Sequence, residues 1–152
     1  RMLVPHMRQR GKGWIVELGS CGVVPPPGPP YGDYVNWRGY ESLYCASKAA
    51  IHRLALGLAC ELYEDNIAVN VVAPVAGILT PGIYSMDLTT PEQLEHHKDA
   101  FEPVEHIAEA TLALVAKSPQ EQTGVIAYSF EYLDSIGRST LTLDGKNVFK
   151  KR

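Results

Sequence analysis

Tyr44 and Lys48 lie four residues apart in the stretch Tyr44-Cys45-Ala46-Ser47-Lys48. On a helix that spacing sets the phenol and the ammonium on one face, with Cβ atoms about 5–6 Å apart. A free Tyr titrates near ~10, too high for an acid or base at neutral pH. A fixed cation beside it favours the phenolate. At ~4 Å and an effective dielectric of ~20 the attraction is about 4 kcal/mol, which caps the downward shift near three pKa units. A phenol so tuned can exchange a proton with an alcohol or carbonyl oxygen. The same pair also describes ordinary helix surface, and a Tyr-x-x-x-Lys match arises easily by accident. The neighbouring residues decide between these readings.

A second candidate precedes the pair. Trp14-Ile15-Val16-Glu17-Leu18 is a short, mostly apolar run that predicts a buried strand, and it ends in Gly19-Ser20-Cys21-Gly22. A hydroxyl at the carboxyl end of a strand is where open α/β sheets place ligand contacts. The alternative for Ser20 is a turn residue bonding its own backbone. Residues 23 to 42 then break the pattern, with Pro25, Pro26, Pro27, Pro29 and Pro30 followed by Tyr31, Tyr34, Trp37 and Tyr40. A connection of this length is functional or disordered. The aromatics suggest an ordered loop over a pocket, against a flexible polyproline linker.

Around these residues the chain alternates strand and helix. Residues 2 to 9 predict the last turns of a helix, stopped by Arg10-Gly11-Lys12-Gly13. A helix from about Leu43 to Tyr63 would carry an apolar stripe of Ile51, Leu54, Ala55, Leu58 and Leu62. Ile67 to Ala73 predicts a second buried strand, stopped by Pro74. Strand, helix and strand form a βαβ unit, so the two strands should be parallel. Residues 75 to 102 form a long connection, with a helix start at Thr90-Pro91-Glu92-Gln93. Glu95, His96, His97 and His106 lie in or near it, but adjacent His residues on a helix point apart, and no metal site is expected. A helix from about Pro103 to Lys117 and a third strand over 125 to 130 follow. A short pairing is expected around Thr140-Leu141-Thr142-Leu143, closed by Asp144-Gly145.

Length and composition bound the rest. At 152 residues the chain is one domain, with 45% hydrophobic residues and a net charge of -3. That balance, with no Lys/Arg stripe, argues against a nucleic-acid partner. Cys21, Cys45 and Cys60 form no C-x-x-C, which fits reduced thiols in a cytoplasmic protein. No apolar run reaches membrane-spanning length. The chain begins with Arg1 in helical character, as a piece of a longer protein would.

Taken in order, Gly19-Ser20, Tyr44-x-x-x-Lys48-Ala49-Ala50, the strand ending at Pro74, Thr80-Pro81-Gly82, Pro103-Val104-Glu105 and Thr123-Gly124 resemble the C-terminal half of the short-chain dehydrogenases/reductases. The resemblance implies an α/β fold, the C-terminal part of a doubly wound, Rossmann-like parallel sheet with about three parallel strands and flanking helices. The whole of 1–152 would then be one partial domain, its dinucleotide fingerprint lying before Arg1. It implies NAD or NADP as cofactor and an alcohol or ketone as substrate. Tyr44 would be the general acid/base. Lys48 would assist it and bond the nicotinamide ribose, and Ser20 would hold the substrate oxygen. Pro74, Val75 and Thr80 would line the nicotinamide site, and Ser20, Tyr31, Tyr34 and Trp37 the substrate site. A homodimer or homotetramer is expected at full length.

The chain departs from the family pattern in several places. Ser20 precedes Tyr44 by 24 residues, about twice the usual gap, the excess being the Pro/aromatic insertion. Val75 replaces the usual Gly and Thr80 lies one position late, and the Asp-Gly-Gly ending is replaced by Ser129-Phe130 and a tail. The competing function is a non-catalytic fragment acting as an assembly module.

Overall fold

The computed structural model describes residues 2–31, 42–82, 90, 101–142, 144 and 146–148. Among them, helices α1 (Val4–Gln9), α2 (Ser42–Glu61), α3 (Val104–Val115) and α4 (Ser129–Ser135) flank strands β1 (Gly13–Leu18), β2 (Ile67–Ala73) and β3 (Ile126–Tyr128). The sheet order is β1-β2-β3. Both pairs are parallel, from Gly13↔Ile67 to Leu18↔Val72 and from Val71↔Ile126 to Ala73↔Tyr128. The expected parallel βαβ unit is therefore present.

The central strand β2 is buried along its whole length, which is why its sequence is apolar without alternation. Ile67, Val69 and Val71 pack on Ala55, Ala59 and Leu62 from α2 and its end. Val72 packs on the other side against Ala110, Ala113 and Leu114 of α3, with Ala127 and Leu133. Helices on both faces make the sheet doubly wound. Leu114 is fully buried in this second layer. Leu114→Ala should cost about 2–5 kcal/mol. Urea unfolding checks this: the midpoint should fall with an unchanged slope.

One polar residue interrupts the strand core. Asn70 is buried, so both ends of its amide must be satisfied. Its Nδ2 donates to the Gln122 carbonyl at 2.9 Å, and its Oδ1 accepts from the Val125 N–H at 2.9 Å. The Asn70 side chain thus ties the approach to β3 onto β2. At the other end of the sheet, Asn66 takes a positive φ of 57°, and its Nδ2 donates to the Gly11 carbonyl at 2.8 Å. Asn is among the residues that tolerate this conformation. Trp14 on β1 donates its indole N–H to the Lys117 carbonyl at 3.0 Å, joining β1 to the end of α3.

Three sequence expectations change. The stripe on α2 does not run through Leu54, which is 61% exposed. The buried line is His52, Ala55 and Ala59, continued by Leu62, because small side chains let the helix sit close on the sheet. The third strand stops at Tyr128 rather than residue 130. Ser129 to Ser135 turns into α4, which buries Ser129 and Leu133. The tail pairing reduces to an isolated antiparallel bridge, Leu141↔Val148. The helix start at Thr90 to Gln93, with Glu95, His96 and His97, lies outside the described residues apart from Thr90.

Candidate active site

The carboxyl ends of β1 and β2 lead into the candidate residues Ser20 and Pro74-Val75. β1 ends at Leu18, and the Gly19 N–H donates to the Val72 carbonyl at 2.8 Å, extending the ladder by one bond. Ser20 follows, buried, as the cap of a 3-10 turn over Cys21–Val23. Its Oγ accepts from the Gly22 N–H at 3.0 Å. The turn reading of Ser20 is therefore present. Its hydroxyl is also a donor.

Tyr44 and Lys48 occupy the first turns of α2. The Lys48 Nζ lies 5.8 Å from the centre of the Tyr44 ring, so the two share a helix face. The same ammonium donates to the Leu18 carbonyl at 2.9 Å. That bond brings the amine to the end of β1, two residues before Ser20. The Tyr44 side chain is 48% exposed beside it.

One turn further, His52 continues this face, and sequence reasoning missed it. Its ring is buried, and its Nε2 accepts from the Ser20 N–H at 3.4 Å. Lys48 and His52 thus address the backbone on either side of Gly19, one as donor and one as acceptor. Gly19 is required there, because a Cβ would stand 2.2 Å from the His52 Nε2 and 2.7 Å from Val71 Cγ1. The available signal was spacing: Tyr44, Lys48 and His52 recur at i, i+4 and i+8.

Burial, and then the charge of Lys48, hold the His52 pKa below its ordinary value of 6.5. The folded state therefore favours the neutral ring, which is the form that can accept from Ser20. The stability this carries is present above the unfolded pKa of ~6.5 and is lost as pH falls through the lower folded value. Urea midpoints measured from about pH 7 downward should decline for this reason. His52→Gln, which keeps an acceptor but does not titrate, should lose that part of the decline.

Pro74 and Val75 follow directly on β2, and both are partly buried. Val75 forms a wall of a cleft of about 420 Å³, lined also by Cys21, Val24, Pro25, Pro26, Pro27, Tyr128 and Glu131. Ser20, Tyr44 and Lys48 do not line this cleft. The proline run therefore borders a mostly apolar space that starts one residue after Ser20. Thr80 is partly buried in the segment beyond. Tyr31 is half exposed, and its ring packs close on Gly28. Tyr34 and Trp37 lie outside the described residues.

The short chain dehydrogenase family model matches residues 1–91, more than half of the chain. The chain belongs to this family. A galactitol 2-dehydrogenase (L-tagatose-forming) from Cereibacter sphaeroides is 34% identical over 79% of this chain and 45% of its own length. A tropinone reductase homolog from Arabidopsis thaliana is 34% identical over 70% of this chain and 35% of its own. Among solved structures, a short-chain dehydrogenase/reductase family oxidoreductase from Burkholderia thailandensis is similar, with TM-score 0.64 at 27% identity over 83% of this chain and 46% of that one. A 7α-hydroxysteroid dehydrogenase complexed with NADH and 7-oxo glycochenodeoxycholic acid gives TM-score 0.63 at 28% identity, over 84% and 46%. The chain spans less than half the length of each of these relatives. The fold is that of the short-chain dehydrogenase sheet, and the family is one of oxidoreductases.

Proposed function

We propose that this chain supplies the catalytic half of an NAD(P)-dependent oxidoreductase that interconverts a hydroxyl and a carbonyl group. The observation that carries this reading is the Lys48 ammonium, held against the end of β1 on the same helix face as an accessible Tyr44 phenol.

The roles follow from the chemistry of the groups. Tyr44 gives its proton to the carbonyl oxygen in reduction and takes the alcohol proton in oxidation. Lys48 stabilises the negative charge left on the phenol oxygen, and its ammonium suits the ribose hydroxyls of a dinucleotide. Ser20 donates to the substrate oxygen and orients it beside the phenol. A bound nicotinamide supplies the hydride chemistry.

The residues fit the nicotinamide end of such a cofactor. The Lys48 ammonium reaches the carboxyl end of β1 with the Tyr44 ring beside it, and the segment from Pro74 leaves the carboxyl end of β2. Open α/β folds hold ligands at such ends, which supports this reading. No G-x-G-x-x-G occurs in the sequence, so the pyrophosphate would be held by residues other than these. The cleft beside Cys21 favours a substrate with an apolar body, and Tyr31, Tyr34 and Trp37 are the aromatic side chains we assign to its recognition. The protein is read as cytoplasmic. Exposed Leu43 and Leu54 on α2 suit a homo-oligomer contact.

The test joins this segment to its dinucleotide-binding half and assays a panel of secondary alcohols and ketones with NAD(H) and NADP(H). Turnover with at least one pair supports the reading. A full-length protein that binds neither cofactor overturns it.

A further inference from the structure

The reading above places the segment after β2 beside the nicotinamide. What holds that segment is a side chain that neither the sequence reading nor the proposed chemistry uses. Glu102 has a side chain only 2% exposed. Its Oε2 accepts from the Val75 N–H at 2.8 Å, and its Oε1 meets the His106 Nδ1 at 3.2 Å. Oε1 also accepts from the Ser129 hydroxyl, at the first residue of α4. Its own N–H donates to the Gly77 carbonyl at 2.8 Å. One residue thus bonds near both ends of the segment 74–77. Phe101 closes the same contact, because a Cβ on Gly77 would stand 2.9 Å from its ring.

We propose that Glu102 is a positioning residue whose buried carboxylate latches the Val75 segment to α3 and α4, presetting the wall of the nicotinamide site. A buried carboxylate costs several kcal/mol unless donors compensate it. Here two donors, the Val75 N–H and the Ser129 hydroxyl, converge on the two oxygens, and the His106 ring nitrogen lies against one of them. With its N–H committed, Val75 is fixed at the cleft wall. This inference rests on the oxidoreductase reading for its purpose, but the latch itself is a property of the chain.

Amide hydrogen exchange of the chain by NMR reads the latch directly. In Glu102→Leu, of similar volume but without an acceptor, the Val75 amide should exchange at least about tenfold faster than in the wild type. The Val71 amide, bonded to the Val125 carbonyl, serves as the internal control and should not change. Glu102→Gln, which keeps one carbonyl oxygen, should restore most of the Val75 protection. Unchanged exchange at Val75 in Glu102→Leu overturns the proposal. If that variant does not fold, Glu102→Asp carries the same measurement, because it keeps the charge but withdraws the oxygens by one methylene.

In the protein joined to its dinucleotide-binding half, Glu102→Leu should raise the cofactor KM about tenfold and change kcat little. An equal fall in kcat with KM untouched overturns the positioning role. If the wild type turns nothing over, the functional reading fails, and the exchange result still decides the latch.

Discussion

Tyr44→Phe should lower turnover about a thousandfold, within the range that a positioned general acid contributes. Cofactor affinity should stay nearly intact, because the ring is kept and only the oxygen is lost. Stability should barely move, since the Tyr44 side chain is half exposed. Steady-state assay of the full-length enzyme, with a cofactor titration beside it, separates the two effects. Retained turnover would remove the phenol from the chemistry. A large loss of cofactor affinity would instead make it a binding residue.

Lys48→Met should reduce turnover about a hundredfold and weaken the cofactor as well, because one amine serves two purposes. It keeps a long apolar stem, so packing along α2 is preserved while the charge and the bond to the Leu18 carbonyl are lost. The expected signature is a fall in kcat together with a rise in cofactor KM. A variant that loses only stability would reduce Lys48 to a strut between α2 and β1.

Much of this architecture was legible in the sequence for simple physical reasons. Two apolar runs of strand-forming residues, each ended by Gly or Pro, read as strands, and a twenty-residue helix between them made them parallel. β2 is buried throughout as expected, whereas β1 is only partly buried, with Leu18 55% exposed. The Tyr44 and Lys48 pair was visible because both residues sit on one element and its period brings them together.

What was missed depends on distant partners. His52 shares the face of Tyr44 and Lys48 by spacing, but nothing local shows that its ring meets the Ser20 N–H, 32 residues earlier. Glu102 reads as a loop residue before a helix. Its meaning comes from Val75 and Ser129, each 27 residues away in opposite directions. The helix α4 was hidden because Val125 to Phe130 continues a plausible strand. The burial of Leu133 and the capture of Ser129 by Glu102 turn the chain there. The apolar count on α2 misplaced Leu54 because it weighed hydrophobicity over size, and the sheet selected alanine instead.

The indole of Trp14 gives the protein a built-in optical gauge. Its N–H is tied to the Lys117 carbonyl, and the Lys12 ammonium lies 5.7 Å from its ring. Only one other tryptophan, Trp37, occurs in the sequence. In this chain a Trp37→Phe background therefore leaves one tryptophan, whose colour and brightness follow the seating of α3 on β1. Loosening of that layer can then be watched in real time, without attaching a dye.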